Sequence, residues 1–264
     1  MQIITTQTLV NDLKNLGVQA GQTLLVHTSM KALGKHVLGD APAVVDALME
    51  VITPEGTLVM PTNSTNNTDP ATWGRNPFTP EQWDTIRAEM PPYRPEITPS
   101  NRMGMINECF RTYPGVRRSS HPAFSFAAWG KHAAFVTANQ SLNNSVAEQS
   151  PVGRVYELDG WILLMGVGYE RNTSLHLADY WADYPFKERE DNGSAMLVNG
   201  RCQWVTYYDE AVGMDNFAAI GESFERETNE VMIGQVAAAT VRLMRQRALV
   251  DYAVRWLETN RAEA

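Results

Sequence analysis

The sequence predicts an α/β fold built around a parallel sheet, and three observations predict it. A strand-length apolar run at 22–27 ends in polar residues. A helical repeat follows at 42–52, and a second apolar run follows at 57–60. Strand, helix and strand in that order pack as a parallel pair with the helix across one face. The third observation is a later apolar run, 161–167, again followed by a helical pattern at 174–182. The chain has 264 residues, of which 44% are hydrophobic. That suits one large folded domain over 1–264, without repeats or low-complexity tracts.

The elements read as follows. Residues 11–16 end a short amphipathic helix that Gly17 closes. The run QTLLVH leads from Gly21 into Thr28 and Ser29. Beyond Gly39 and Asp40, Pro42 suits a first helical turn. Val44, Val45, Leu48, Val51 and Ile52 then recur at helical spacing until Pro54 and Gly56 stop them. The TLVM strand runs into the polar PTNSTNNTDP. Ligands of open α/β sheets bind at the carboxyl ends of strands, so 27–29 and 61–63 are expected on one edge. Residues 66–100 read as a long excursion with a short helix near 80–90, the kind of loop that often serves as a lid. The alternation over 195–209 around Asn199-Gly200 predicts a hairpin with a type I′ turn. Residues 231–257 read as a terminal helical region.

Composition narrows the function. The formal charge of −8 disfavours a nucleic-acid partner, which needs a basic face. The most apolar run, WILLMGVG, is far shorter than a membrane span. The first residues lack a basic segment followed by an apolar one, so the expected location is cytoplasmic. Two cysteines, Cys109 and Cys202, do not make a disulfide framework. HExxH and paired CxxC motifs are absent, so no metal is expected. GxGxxG, GxxxxGK[ST] and GxSxG are absent as well.

The chemistry-bearing pattern is TSLHLAD, which opens a helix after the third apolar run. Thr173, His176 and Asp179 stand three apart, on roughly one helical face. A hydroxyl, an imidazole and a carboxylate at a strand's carboxyl end suit acid–base chemistry; an N-cap threonine beside a surface histidine is the plainer reading. His27 and His121 also stand near strand ends, where a histidine either serves catalysis or hydrogen-bonds a backbone carbonyl; taken alone, each favours the second. Arg102, Arg111, Arg117 and Arg118 bracket a turn at 113–115, as phosphate partners or as a solvated turn. These residues describe an α/β enzyme with a candidate site at His176. They do not name its reaction.

Five blocks in order together resemble the antibiotic N-acetyltransferase family: VHTSMKALG (26–34), EGTLVMPT (55–62), RMGMINECFRTYPGVRRSSHPAFSFAAWG (102–130), SPVGRVYELDGWILLMGVGYERNTSLHLAD (150–179) and GQVAAATVRLMRQRALVDYAVRWL (234–257). The resemblance spans nearly the whole chain. It implies a layered α/β/α fold with a central mixed or mostly parallel sheet, distinct from the GNAT acetyltransferases. It also implies acetyl-CoA as cosubstrate and a cationic amine as acceptor, either an aminoglycoside modified at its 3-amino group or another small amine. His176 matches the family's catalytic base, with Thr173 and Asp179 beside it. Thr28, Ser29, Leu33, Gly34, Thr62, Arg102, Met103, Gly104, His121, Ser125 and Phe126 match segments that cradle the CoA arm. Turns and helix starts suit a pyrophosphate, because their backbone N–H groups point outward. Segments near 66–100 and 180–230 would shape the acceptor cleft, and they carry the acids Asp69, Asp183, Glu188, Glu190, Asp209, Glu210, Glu222 and Glu225. A thioesterase or amide hydrolase using Thr173 and His176, or a non-catalytic CoA sensor, are the competing classes.

Overall fold

A computed structural model of the chain describes residues 3–185, 187–210 and 215–261. Its first half runs α1 (Thr6–Leu16), β1 (Thr23–Thr28), α2 (Met30–Leu33), α3 (Asp40–Ile52), β2 (Thr57–Pro61), α4 (Trp83–Glu89), α5 (Met105–Arg111), β3 (Arg117–Arg118) and β4 (Phe126–Gly130). The second half runs α6 (Ala133–Thr137), α7 (Pro151–Glu157), β5 (Trp161–Met165), α8 (Ser174–Trp181), β6 (Arg189–Val198), β7 (Arg201–Glu210), α9 (Phe217–Glu227), β8 (Val231–Val236), β9 (Ala239–Arg245) and α10 (Gln246–Asn260).

Seven strands form one sheet in the order β3-β4-β2-β1-β5-β9-β8. Its centre is parallel, with β1 flanked by β2 and β5, while the outer pairings are antiparallel. The sheet is therefore mixed. Successive side chains of a strand face opposite sides, and the core divides accordingly. Leu24, Val26, Leu58, Met60, Leu163 and Met165 join a cluster with α1, α3 and α5. Leu25, Val59, Ile162 and Leu164 join a second cluster with α6, α7, α8, α9 and α10. Burial on both faces is why these strands read as continuous apolar runs. The layers are α/β/α.

Local chemistry sets the element ends. Thr5 caps α1 through its hydroxyl, which accepts from Thr8 N at 3.1 Å, and Gly17 closes the helix with φ of 111°. Asn199 and Gly200 both have positive φ, 51° and 76°, as a type I′ hairpin turn between β6 and β7 requires. The excursion after β2 is short turns plus α4. Asp69 and Arg87 pair across it at 2.8 Å, and Arg118, which also donates to Thr62 and Ser125, ties its end by donating to Pro95 O and Thr98 O. Among the described residues no helix is long and apolar enough to cross a membrane.

One expectation fails. Residues 231–245 are not helical; they form β8 and β9, joined by a turn in which Ala237 has φ of 52°. Pairing decides it. β9 lies between β5 and β8, with Val241 facing Met165 in register, and its Val241, Leu243 and Met244 are fully buried. Sheet neighbours on both sides outweigh the helical leaning of Ala, Arg and Met. Only residues from Gln246 onward are helical. The 180–230 segment contains the β6–β7 hairpin and α9, while its residues 186 and 211–214 lie outside the described residues.

Candidate active site

The carboxyl ends of β1, β2 and β5 meet at a cavity of about 1600 Å³, lined by His27, Thr28, Pro61, Gly166, Thr173 and His176 among others. Three hydrogen bonds hold its rim. Thr28 Oγ1 donates to Asn107 Oδ1 at 3.0 Å, and Asn107 Nδ2 donates to Pro61 O at 2.9 Å, joining β1, α5 and β2. Ser29 N donates to Met165 O at 3.0 Å, joining β1 to β5. Gly166 lets the chain leave β5 sharply. Its φ is 72°, and a Cβ there would stand 2.3 Å from Ala32 Cβ, closer than carbon atoms approach, so only glycine fits.

The loop from Gly166 delivers Thr173 and α8. Thr173 stands where a helix cap would, yet its hydroxyl does not cap. Asn172 Oδ1 accepts from Ser174 N at 3.1 Å instead. Thr173 Oγ1 lies 3.3 Å from His27 Nε2. His176, one turn along, packs edge-on against Phe217 with ring centroids 4.7 Å apart. Burial lowers the pKa of His176 to about 4; burial and the neighbouring His176 lower that of His27 to about 3. Both imidazoles are therefore neutral at pH 7. His176 Nδ1 is buried without a partner, which leaves Nε2 as the nitrogen with access to the cavity.

Two further residues of the lining, Asn172 and Asn63, each hold a buried side-chain atom, Nδ2 and Oδ1, without a partner among the described residues. Buried polar atoms in folded chains are nearly always bonded, so orphans that line a cavity point to a ligand or water there. The walls carry both signs of charge, with Asp40 and Glu170 among the acids. Lys31 and Lys35 come from α2 and its exit, Arg102 and Arg171 from loops, and Arg242 from β9. Arg242 is held at 2.6 Å by Glu225, which also accepts from Tyr169 OH. The hairpin supplies Glu190 and Asp209, which face each other across the β6–β7 pair. Burial first, and Asp209 second, raise the Glu190 pKa. Asp209 Oδ1 accepts from Ser145 N at 2.6 Å and Tyr180 OH at 2.7 Å. The cavity thus offers cations toward phosphates, and a carboxylate pair toward a cationic group.

Of the site residues that the resemblance assigns, Thr173, His176, Thr28, Ser29, Gly34, Arg102, Met103 and Gly104 line this cavity. Six others do not. Asp179 is buried two turns along α8, where its Oδ1 accepts from Tyr184 OH at 2.6 Å and Arg261 Nη1 at 3.2 Å. It makes no hydrogen bond to His176 among the described residues. Leu33 is fully buried in the core that includes α1 and α3, and Phe126 in the opposite one. Thr62 and Ser125 are buried against each other and Arg118. His121 is buried as well. Its Nδ1 accepts from Ala123 N and Phe124 N, its Nε2 meets Leu142 O at 3.1 Å, and burial lowers its pKa to about 4. These motif residues build the frame behind the cavity wall.

Sequence reasoning missed several wall residues. Thr240 and Arg242 were hidden by the helical reading of β9. His27, which taken alone favours a backbone carbonyl over catalysis, lies 3.3 Å from Thr173 Oγ1. Period-two alternation holds its signal: Leu25 faces the α8 side of the sheet, so His27 faces it too. Of the acids in the two cleft segments only Glu190 and Asp209 reach the cavity; Asp69 and Glu225 are held by arginines.

A family model described as aminoglycoside 3-N-acetyltransferase matches residues 25–258. The chain is 40% identical over 257 residues to the SPbeta prophage-derived aminoglycoside N(3')-acetyltransferase-like protein YokD of Bacillus subtilis strain 168, covering 97% of this chain and 93% of that protein. The YokD crystal structure superposes with a TM-score of 0.96 at 39% identity, covering 100% of this chain and 97% of that one. AAC-VIa bound to sisomicin gives 0.90 at 29% identity, with 99% and 100% covered. AAC-IIIb binary with CoASH gives 0.89 at 26%, with 100% and 99% covered.

Proposed function

Because the chain belongs to the aminoglycoside 3-N-acetyltransferase family and is thereby an acyltransferase, we propose that it moves the acetyl group of acetyl-CoA to an amino group of an aminoglycoside, the 3-amino group by family likeness, with His176 as general base. The observation that carries this reading is the position of His176: a neutral imidazole with Nε2 open to a cavity that has cationic walls and a carboxylate pair.

The amine nitrogen attacks the thioester carbonyl. As the C–N bond forms, the nitrogen becomes cationic and strongly acidic, and His176 Nε2 takes its proton. The C–S bond then breaks, and the thiolate leaves as CoA and regains a proton. Proton transfer to a positioned base is worth ~10²–10⁴ in rate. Low pKa keeps His176 unprotonated, and therefore able to accept, throughout the neutral range. Thr173 Oγ1 stands ready to donate to the developing oxyanion. Lys31, Lys35, Arg102 and Arg171 supply charge for the phosphates of CoA, together with the rim residues Thr28, Ser29, Gly34, Met103 and Gly104. Glu190 and Asp209 suit the remaining ammonium groups of a polycation. A cavity of about 1600 Å³ exceeds the ~300–1,000 Å³ common for one drug-sized ligand. That favours a pantetheine arm plus a multi-ring amine over a small acceptor.

Thiol release with acetyl-CoA, across a panel of aminoglycosides and simple amines, tests the reading, with mass spectrometry of the product. Release is expected only with a multi-ring aminoglycoside, whose mass rises by one acetyl group. Preference for simple amines would shift the function to another acceptor, and release without any acceptor would make the protein a thioesterase.

A further inference from the structure

We infer that His27 is a positioning residue, whose Nε2–H donates to Thr173 Oγ1 and so turns the Thr173 hydroxyl proton toward the carbonyl oxygen of the bound acyl group. This rests on the acetyl-transfer reading above and deepens it.

The placement follows from the sheet. β1 pairs with β5 in parallel, with His27 in register with Leu164, and alternation sends the His27 side chain to the α8 face. β5 then runs through Gly166 into the loop that ends at Thr173. Two neighbouring strands thus deliver an imidazole and a hydroxyl to the same point, 3.3 Å apart. Both side chains line the cavity, while His27 itself is only 5% exposed. Thr173 is free for this bond because Asn172 has taken over the capping of α8.

A hydroxyl has one proton and two lone pairs. If His27 Nε2 accepted from Thr173, that proton would be spent, and the hydroxyl would present only lone pairs to a developing oxyanion. With Nε2–H as donor, a lone pair of Oγ1 is used instead and the proton stays available. The donor arrangement also arranges the hydroxyl before the reaction, so no reorganisation is needed as charge develops. Burial and the nearby His176 keep the His27 ring neutral far below pH 7, so this bond does not alter over the working range. With its proton on Nε2, His27 has no lone pair facing Oγ1 and cannot take the Thr173 proton to make that hydroxyl a nucleophile. Thr173 and His27 therefore undergo no covalent change. The C–N bond forms, the C–S bond breaks, and the ammonium proton goes to His176.

The test uses the full chain, acetyl-CoA and an aminoglycoside that the unaltered protein acetylates, with His27→Ala, His27→Gln, Thr173→Val and the His27→Ala, Thr173→Val double variant. His27→Ala is expected to lower kcat ~10–100-fold, as lost support of a reacting group does, while KM for acetyl-CoA stays within about twofold. His27→Gln, whose amide nitrogen can stand where Nε2 does, should recover most of that loss. The double variant should be no slower than Thr173→Val alone, because the two residues act as one unit. If His27→Ala does not fold, judged by thermal unfolding, His27→Phe fills the same space without the bond and carries the same expectation. Unchanged kcat in a folded His27→Ala, a Gln variant as slow as the Ala one, losses that multiply in the double variant, or an acetyl group found on Thr173 would each overturn the inference. Failure of the unaltered protein to acetylate any amine overturns the transfer reading itself, and this inference with it.

Discussion

The floor and the mouth of the cavity are built in opposite ways. The floor, with Thr173, His176 and His27, sits at the ends of central parallel strands and carries no charge at neutral pH. The mouth includes the antiparallel β6–β7 hairpin, with exposed Glu190 directly across from Asp209. Like charges facing each other across a hairpin are destabilising, so the pair makes physical sense where a cation comes to lie between them. Chemistry needs groups fixed to fractions of an ångström in a dry setting, where a dipole acts strongly. Substrate choice by charge works at longer range and tolerates water. Changes at the floor should therefore alter turnover, and changes at the mouth should alter affinity.

The largest expected effect is at the floor. His176→Ala should lower kcat by ~10²-fold or more with normal unfolding behaviour and acetyl-CoA binding. Steady-state thiol release measures it, and near-normal turnover in a folded variant would remove His176 from the chemistry.

At the mouth, Glu190→Gln should raise KM for a polycationic acceptor by up to ~10-fold, the range of one charge-assisted contact, with kcat little changed. Added salt should raise the same KM, since exposed charges are screened over ~8–10 Å. Asp209→Asn should do the same and also lower stability, because Asp209 holds Ser145 N and Tyr180 OH. A KM indifferent to salt and to Glu190→Gln would mean that the hairpin acids do not select the substrate, and the contrast between the regions would fall.

Acid should lower the stability of the fold through its buried histidines. His27, His176 and His121 have folded pKa values of about 3, 4 and 4, all depressed by burial. An unfolded histidine titrates near ~6.5, so below that pH the unfolded chain binds protons that the folded one refuses. Stability is thus complete above ~6.5 and declines as pH falls toward 3–4, by about 1.4 kcal/mol per pH unit per histidine at most. Urea midpoints at pH 7 and pH 5 check this, with the lower midpoint expected at pH 5; equal midpoints would contradict neutral buried imidazoles.

The smallest expected change in turnover is at Asp179. It lies in the same motif as His176 but is bonded to Tyr184 and Arg261, away from the cavity. Asp179→Asn should lower the thermal midpoint by several degrees, about what ~1–3 kcal/mol does in a domain of this size, and leave kcat within about twofold. A large loss of kcat at unchanged stability would return Asp179 to the catalytic group.

The sequence by itself determined the features coded over short distances. Apolar runs with polar ends marked β1, β2 and β5, and therefore the edge where the cavity lies. Asn199-Gly200 marked the hairpin, since only a few residues accept two successive positive φ values. The TSLHLAD motif placed Thr173 and His176 at a strand's end, where they stand. Tertiary structure decided what depends on neighbours distant in the chain. β8 and β9 are strands because β5 offers β9 a ladder to complete, not because their residues favour it. Thr62, Ser125 and His121 support the wall from behind because Arg118 and backbone groups already occupy their polar atoms. Asp179 misses the cavity because α8 leads away from it, and each helical residue adds about 1.5 Å, so six residues carry the carboxylate roughly 9 Å beyond Thr173. His27 entered the site only when β1 and β5 became neighbours, a pairing that joins residues 146 positions apart.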